Sequence, residues 1–354
     1  MRVARALTLS LLALGAAAPA VADSAAIGGP GASTVVAAVK GWTVWSEKPR
    51  GAPDFSIVVV SPTHGVVSRP GVAHRKVPFD LDGGVDAKGA AIVTFSRCST
   101  DPVATGGANP RAGGGAPQYT TGRGCSIRVL DLLTGKERRV PKSPKDESEV
   151  LPSLHGRTLA YVAVPKKGGT RRAVLMVRDM QTGRRTQLYA GVRRRGSLTT
   201  AEGPTSVDTD GRSVVSAWRH RNRRDGSFDS DVLLQKRTAR RPQLVTTATN
   251  TEDTPYVTAF SPTLAGGRVH YLITYGRGFC ERRYSTRKRA PAYGIQRSDT
   301  VPTPVSGVVD GRRLVVAEVF ADKDAPGRPT SSVQVVSYAE GPFSSGFKPG
   351  QVCG

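Results

Sequence analysis

Apolar residues along this chain fall in short alternating runs separated by polar turns that contain glycine. Residues 154 to 188 show the pattern most clearly. Gly156 opens the run Thr158 to Val162, a polar gap follows, Val174 to Met180 form a second run, and Thr182-Gly183 turns the chain towards Arg185 to Leu188. Glycine takes positive φ without a Cβ clash, and β-branched or aromatic residues bounded by such turns read as strands, so the unit is an antiparallel meander. A lone meander cannot bury its apolar faces and requires neighbours like itself.

The chain supplies them. A Gly turn before an apolar strand recurs at Gly41, Gly89, Gly156, Gly211, Gly267 and Gly311. The spacing is about 50 residues, which indicates a radial or stacked repeat. Each unit continues with a second run: Phe55 to Val60, Ser126 to Leu132, Val174 to Met180, Val232 to Leu234, Tyr293 to Gln296 and Val333 to Tyr338. A further strand is expected before the glycines, as in Thr34 to Val39, Pro204 to Asp208 and Tyr256 to Leu264. Six units of four strands predict an all-β fold, a six-bladed β-propeller of four-stranded antiparallel blades. A β-sandwich would carry strands at about 8–12 residue spacing instead. Trp42, Trp45 and Trp218 follow turn glycines on strands and are expected to fill seams between blades.

Two phrases carry a resemblance. Ser206-Val207-Asp208-Thr209-Asp210-Gly211-Arg212-Ser213-Val214-Val215 and Val174-Leu175-Met176-Val177-Arg178-Asp179-Met180-Gln181-Thr182-Gly183 resemble the two halves of the repeat in TolB-type β-propellers. The resemblance spans about residues 34 to 345 and implies the propeller fold. Relatives of that type serve as protein-binding platforms, as domains beside peptidase domains and, in a few cases, as lyases.

Length and address come next. The chain has 354 residues. Arg2 and Arg5 precede an apolar run from Ala6 to Ala18, and Ala20-Val21-Ala22 supplies a small-x-small site before Asp23. This order of regions predicts a signal peptide over 1–22 and export out of the cytoplasm. Residues 23–33, rich in Ala, Gly and Ser, are expected to form a flexible leader, and 34–354 a single propeller domain. After signal removal no segment is long and apolar enough for a transmembrane helix. Cys98, Cys125, Cys280 and Cys353 fit an oxidising compartment. Cys98 ends one strand and Cys125 begins the next, so a disulfide between them is expected; Cys280 with Cys353 follows by elimination, with free thiols as the alternative.

Charge adds a partner class. The formal net charge is +23, a field that favours anionic partners, although a bias of composition towards Arg would scatter the same charge without a partner. In a four-stranded blade the loops between second and third strands share a face with the connections between blades. Inserts expected there are 99–124, 219–229, 277–289 and 321–331. They place Arg219, Arg221, Arg223 and Arg224 with Arg282, Arg283, Arg287, Lys288 and Arg289 on one face, joined by Arg193, Arg194 and Arg195, with Tyr284 available for stacking. These arginines and Lys288 are the candidate anion ligands. Lys136, Arg138, Arg139, Arg184, Arg185, Arg240 and Arg241 lie near the opposite turns. Nucleic acid is a weak choice of partner, since the chain has neither a reading helix nor a row of paired aromatics.

Motifs for catalysis are missing. His64, His74, His155, His220 and His270 are scattered over different units, and no H-E-x-x-H, H-x-H or G-x-S-x-G occurs, so metal and nucleophile-elbow chemistry lack motif support. Asp80-x-Asp82-Gly83 and Asp208-x-Asp210-Gly211 start like calcium loops but lack a Glu at the twelfth position, and read as Asp-Gly turns. No cofactor, no metal and a monomer are expected. Two functions from different classes follow. One is a secreted, non-catalytic propeller that binds an anionic envelope polymer or a protein through its basic loops. The other is an extracellular lyase or hydrolase of an acidic polysaccharide, in which arginines hold the carboxylates and a His or Tyr moves the proton; His220 or His270 in one pocket with Tyr284 would favour it. A structural partner in an envelope complex would show an exposed apolar patch instead.

Overall fold

Turn glycines divide the chain into hairpins, and the hairpins assemble into blades. The computed structural model describes residues 24–27, 35–48, 51–63, 65, 67–101, 123–141, 144, 146–165, 173–189, 203–221, 228–249, 258–275, 278–287, 290–292, 296–297, 303–311, 313–321 and 331–339. Strand β1 is Ser24–Ile27. The first blade is β2 (Val36–Val39), β3 (Trp42–Glu47), β4 (Ser56–Val60) and β5 (Val67–Ser68). The second is β6 (Asp82–Val85), β7 (Ala91–Arg97), β8 (Ser126–Asp131) and β9 (Glu137–Arg139). The third is β10 (Glu147–His155), β11 (Thr158–Pro165), β12 (Val174–Asp179) and β13 (Arg185–Tyr189). The fourth is β14 (Gly203–Thr209), β15 (Ser213–Arg221), β16 (Phe228–Lys236) and β17 (Gln243–Ala248). The fifth is β18 (Thr258–Ala265), β19 (Arg268–Tyr275) and β20 (Gly278–Ser285), with the short β21 (Ala290–Ala292) and β22 (Gln296–Arg297) both on β20. The sixth is β23 (Thr303–Asp310), β24 (Arg313–Ala321) and β25 (Ser331–Ala339).

Every blade is an antiparallel meander whose first strand is innermost, and β2, β6, β10, β14, β18 and β23 touch one another in a closed ring. This is the expected six-bladed propeller. The turns between first and second strands hold Gly41, Gly89, Gly156, Gly211, Gly267 and Gly311, all with φ between 62° and 85°. Only glycine occupies that region without strain, which is why the repeat was legible.

Six apolar clusters join neighbouring blades, one per seam. Trp45 fills the seam between the first and sixth blades with Val308 and Val315, and Trp218 the seam between the third and fourth with Val150 and Leu175. Polar ties supplement them. Ser306 Oγ accepts from Val36 N–H at 3.1 Å, and the Asp310 carboxylate accepts from Lys40 and Gly41 N–H at 2.9 and 2.6 Å.

Buried ion pairs line three seams, the second and third of them formed between strands of a single blade. Arg75 pairs with Asp80 at 3.7 Å and donates to Ser96 O at 2.8 Å between the first and second blades. Between the second and third, Arg178 donates to Glu149 and, at 3.2 Å, to Tyr161 Oη. Between the fifth and sixth, His270 Nδ1 lies 2.7 Å from Glu281 Oε1, which also accepts from Arg283 Nε at 3.0 Å.

Two expectations need correction. The leader contains a strand: β1 pairs antiparallel with β25, Ser24 against Val336 through Ile27 against Val333, and so supplies the outermost strand of the sixth blade. Its ladder partner lies far along the chain, so local composition could not reveal it. In the fifth blade, the expected insert 277–289 is largely strand β20, paired with β19 from Gly278 to Ser285. The run expected at 293–296 contributes only β22, beside β20.

The Cys98–Cys125 disulfide is present, with the Cα atoms 3.7 Å apart, where β7 ends and β8 begins. The side chain of Cys280 and all of Cys353 lie outside the described residues. No helix of the described residues is long and apolar enough to cross a membrane.

Candidate functional site

The turns between first and second strands and those between third and fourth strands emerge on one end of the ring. They are locked together there. Leu132, Met180, Arg237 and Thr286, the residues that leave the third strands of the second to fifth blades, donate their N–H groups to Ala91, Arg157, Arg212 and Gly267 carbonyls at 3.2, 2.8, 3.1 and 3.2 Å. Each basic turn is therefore tied to the hairpin beside it.

Two of these turns are built identically. In Asp131-Leu132-Leu133-Thr134-Gly135-Lys136 the Asp131 carboxylate accepts from Leu133 and Thr134 N–H at 3.1 and 2.8 Å. In Asp179-Met180-Gln181-Thr182-Gly183-Arg184 the Asp179 carboxylate accepts from Gln181 and Thr182 N–H at 3.0 and 2.8 Å. The N–H bonds from Thr134 and Thr182 chiefly hold the two carboxyls below the ordinary carboxylate range. The acids serve the turn, while Lys136 and Arg184 project from it exposed.

Among the described residues, the exposed charges of this end are all basic. Lys40, Lys88, Lys136, Arg157, Arg184, Arg212, Lys236, Arg237, Arg240, Arg241, Arg268 and Arg287 are exposed. The acids of the same turns, Asp86, Asp131, Asp179, Asp210 and Asp310, are half-buried and accept hydrogen bonds from the backbone or are held in the turn.

The candidate residues read from sequence do not share one face. Arg193, Arg194, Arg195, Arg223, Arg224, Lys288 and Arg289 lie outside the described residues, as does the side chain of Arg221. Strand β15 ends at Arg221 on the end opposite the glycine turns, with Arg219 two residues before it. Arg287 instead follows β20, beside Thr286, whose Oγ donates to Gly267 O at 2.6 Å on the glycine-turn end. The extension of β20 through residues expected to be loop causes this division. Arg219 is half-buried on β15, where burial lowers its guanidinium from the ordinary value. Arg282 is half-buried on β20.

Arg283 and Tyr284 depart from expectation. Arg283 is 4% exposed with Glu281 bonded to its Nε, so its charge is committed inside the protein. Tyr284 is buried and accepts from Gln243 Nε2, so its ring offers no stacking surface. Strand alternation separates it from His270 as well: His270 is opposite Arg283 and Tyr284 opposite Val269, on the two faces of the sheet. His220, on β15, sits 3.8 Å from Asp229 and 3.6 Å from Asp231 in another blade. His220, His270 and Tyr284 therefore do not share the pocket that would favour a lyase or hydrolase.

Sequence reading missed one cluster, on the innermost strands. Asp208 Oδ1 accepts from Ser153 Oγ at 3.1 Å and Thr209 N–H at 2.7 Å, and its other oxygen accepts from Leu264 N–H, so the carboxylate ties the third, fourth and fifth blades. Burial pushes Asp208 up to about 6, with those hydrogen bonds offsetting part of the effect. Asp82 is partly exposed as a residue, yet its Oδ2 is sealed and has no hydrogen-bond partner. Burial and the neighbouring Asp208 push its carboxyl well above the usual range. Of the two Asp-x-Asp-Gly phrases read as turns, the second is one, with Asp210 and Gly211 between β14 and β15, whereas Asp82-Gly83 lies in strand β6.

No family model matches the chain, and no curated protein matches it. Similar solved structures include one from a study of two prolyl endopeptidases, at 13% identity and TM-score 0.45, with 86% of this chain covering 41% of that one. The β-propeller domain of the Trilobed protease from Pyrococcus furiosus is 8% identical at TM-score 0.43, covering 88% of this chain and 97% of that one. The polysaccharide lyase Uly1 is 6% identical at TM-score 0.47, covering 87% and 90%. The chain thus spans less than half of the endopeptidase, and the likeness in each case is one of fold.

Proposed function

We propose that this protein is a secreted, non-catalytic propeller of the TolB type that binds an anionic polymer of the cell envelope through its basic surface. One observation carries the reading: all exposed charges on the described glycine-turn end are basic, on turns held rigid by the blades. Exposed arginines and lysines on a preorganised scaffold bind phosphate or carboxylate groups without first ordering a loop. Export follows from the N-terminal pattern, and the disulfide fits an oxidising compartment. Arg193, Arg194, Arg195, Arg219, Arg221, Arg223 and Arg224 are proposed as a second anion-binding group.

A salt titration of the purified protein against acidic polysaccharides, phosphate polymers and DNA, with product analysis on the same samples, tests this. Tight, salt-sensitive binding to one polymer without product is expected. Equal, weak binding to all would show that the charge reflects composition, and product release would transfer the protein to the lyase or hydrolase class.

A further inference from the structure

The geometry points to the perimeter of the glycine-turn end, from the second to the fifth blade, as a track for one linear polyanion that lies across successive blades. This rests on the anion-binding reading above and specifies its ligand. The fourth strand of a blade is outermost, so each turn between third and fourth strands lies at the rim. In consecutive blades those turns present Lys136, then Arg184, then Arg240 and Arg241, then Arg287, all exposed.

The arc has two ends. The corresponding turn of the first blade, 61–66, contains neither lysine nor arginine. Among the described residues the sixth blade has no such turn, because its outermost strand is β1, which enters from the other end of the chain. An open arc suits a chain with two ends better than a closed ring of ligands.

Spacing argues against a small ion. Facing sheets pack about 10 Å apart and blades splay outwards, so basic turns in neighbouring blades are separated by at least about that distance. That is close to the screening length at physiological salt. A single phosphate therefore meets one turn at a time, whereas a polymer engages several.

The turns are also fixed before binding. Buried Gln235 donates to Ala239 O at 2.8 Å, clamping the turn with Arg240 and Arg241. Lys136 and Arg184 N–H donate to Thr134 and Thr182 Oγ at 3.4 and 3.2 Å. Little backbone freedom remains to be lost, so affinity should rise with each blade that the ligand reaches.

Inorganic polyphosphates of graded length, measured by titration with the full protein at several salt concentrations, provide the test. Affinity should climb steeply until the chain spans four blades and then level off. The combined variant Lys136→Gln, Arg184→Gln, Arg241→Gln and Arg287→Gln should weaken long-chain binding about ten-fold or more. Its salt slope should fall by roughly one unit per lost contact, as on nucleic-acid phosphates. A circular dichroism melt checks that the variant is folded. Long-chain binding that survives this variant but is lost on reversal of Arg219, Arg221, Arg223 and Arg224 would overturn the track and leave the anion-binding function standing. Absence of binding at any length would overturn both.

Discussion

Glu281 and Asp208 are both buried carboxylates on strands, yet the protein treats them in opposite ways. Glu281 lies in the seam between the fifth and sixth blades. Burial raises its pKa, but hydrogen bonds from His270 and Arg283 and their charges more than offset this, and the carboxyl is held below its ordinary value. Asp208, on an innermost strand, accepts its hydrogen bonds from neutral donors, and the acids Asp82 and Asp210 act on it with like charge. A neutral donor offsets part of a desolvation penalty; a cation can offset all of it. The cations at Glu281 and Glu149 come from the same blade as the carboxylate, where same-face residues of one sheet bring two long side chains together. The innermost strands carry small residues such as Gly83, Gly84 and Ser153, which leave no reach for an arginine.

The comparison breaks hardest where a cation is removed from a seam. Arg178→Met should cost about 3–5 kcal/mol in urea unfolding, because the Glu149 carboxylate, fully buried, loses its guanidinium. The double variant Arg178→Met with Glu149→Leu should recover part of that loss. A double variant as unstable as the single one would show that the pair is not the unit that matters.

Next comes the pH response of the inner acids. Asp208 has a folded-state pKa of about 6, above its unfolded value, so its contribution is fully favourable below the unfolded pKa and is lost as pH rises through about 6. The loss is on the order of 3 kcal/mol at neutral pH. Asp82 shifts in the same direction, so Asp82→Asn should raise the melting temperature at pH 7 and flatten the decline between pH 4 and 7. An unchanged pH profile in that variant would refute the account.

Glu281 should show the mirror image with a smaller amplitude. Its lowered pKa contributes stability above the unfolded value that disappears as pH falls through the folded one. Glu281→Gln should therefore be less stable at pH 7 and lose less on acidification to pH 3, as followed by fluorescence. The smallest effect belongs to the rim. Lys136→Gln and Arg184→Gln should each change stability by less than about 0.5 kcal/mol, since both side chains are exposed.

Legibility in sequence divides along the same line. The hairpins were readable because positive φ demands glycine at Gly41, Gly89, Gly156, Gly211, Gly267 and Gly311. Strand β20 was misread because Glu281, Arg282 and Arg283 look like loop residues when polarity is equated with exposure. In the folded chain Glu281 and Arg283, neighbours on one face of β20, satisfy each other and His270 of the adjacent strand, a pairing that polarity alone does not reveal. The basic surface was half legible. Arg184, Arg240, Arg241 and Lys136 could be assigned to turns from Thr-Gly spacing and position, but the split of Arg219 and Arg287 between opposite ends depended on where β20 stops.

The pairing of β1 with β25 sets the order of events in synthesis. Strand β1 must wait for a partner made much later in the chain, Ser24 for Val336. Closure over so long a loop is slow, because its entropy is lost before the contact is gained. During that wait the outer edge of β25, once made, is an unpaired ladder of N–H and C=O groups. Two newly made copies that meet in the interval can each lend β1 to the other, so crowding during production favours strand-swapped pairs over single rings.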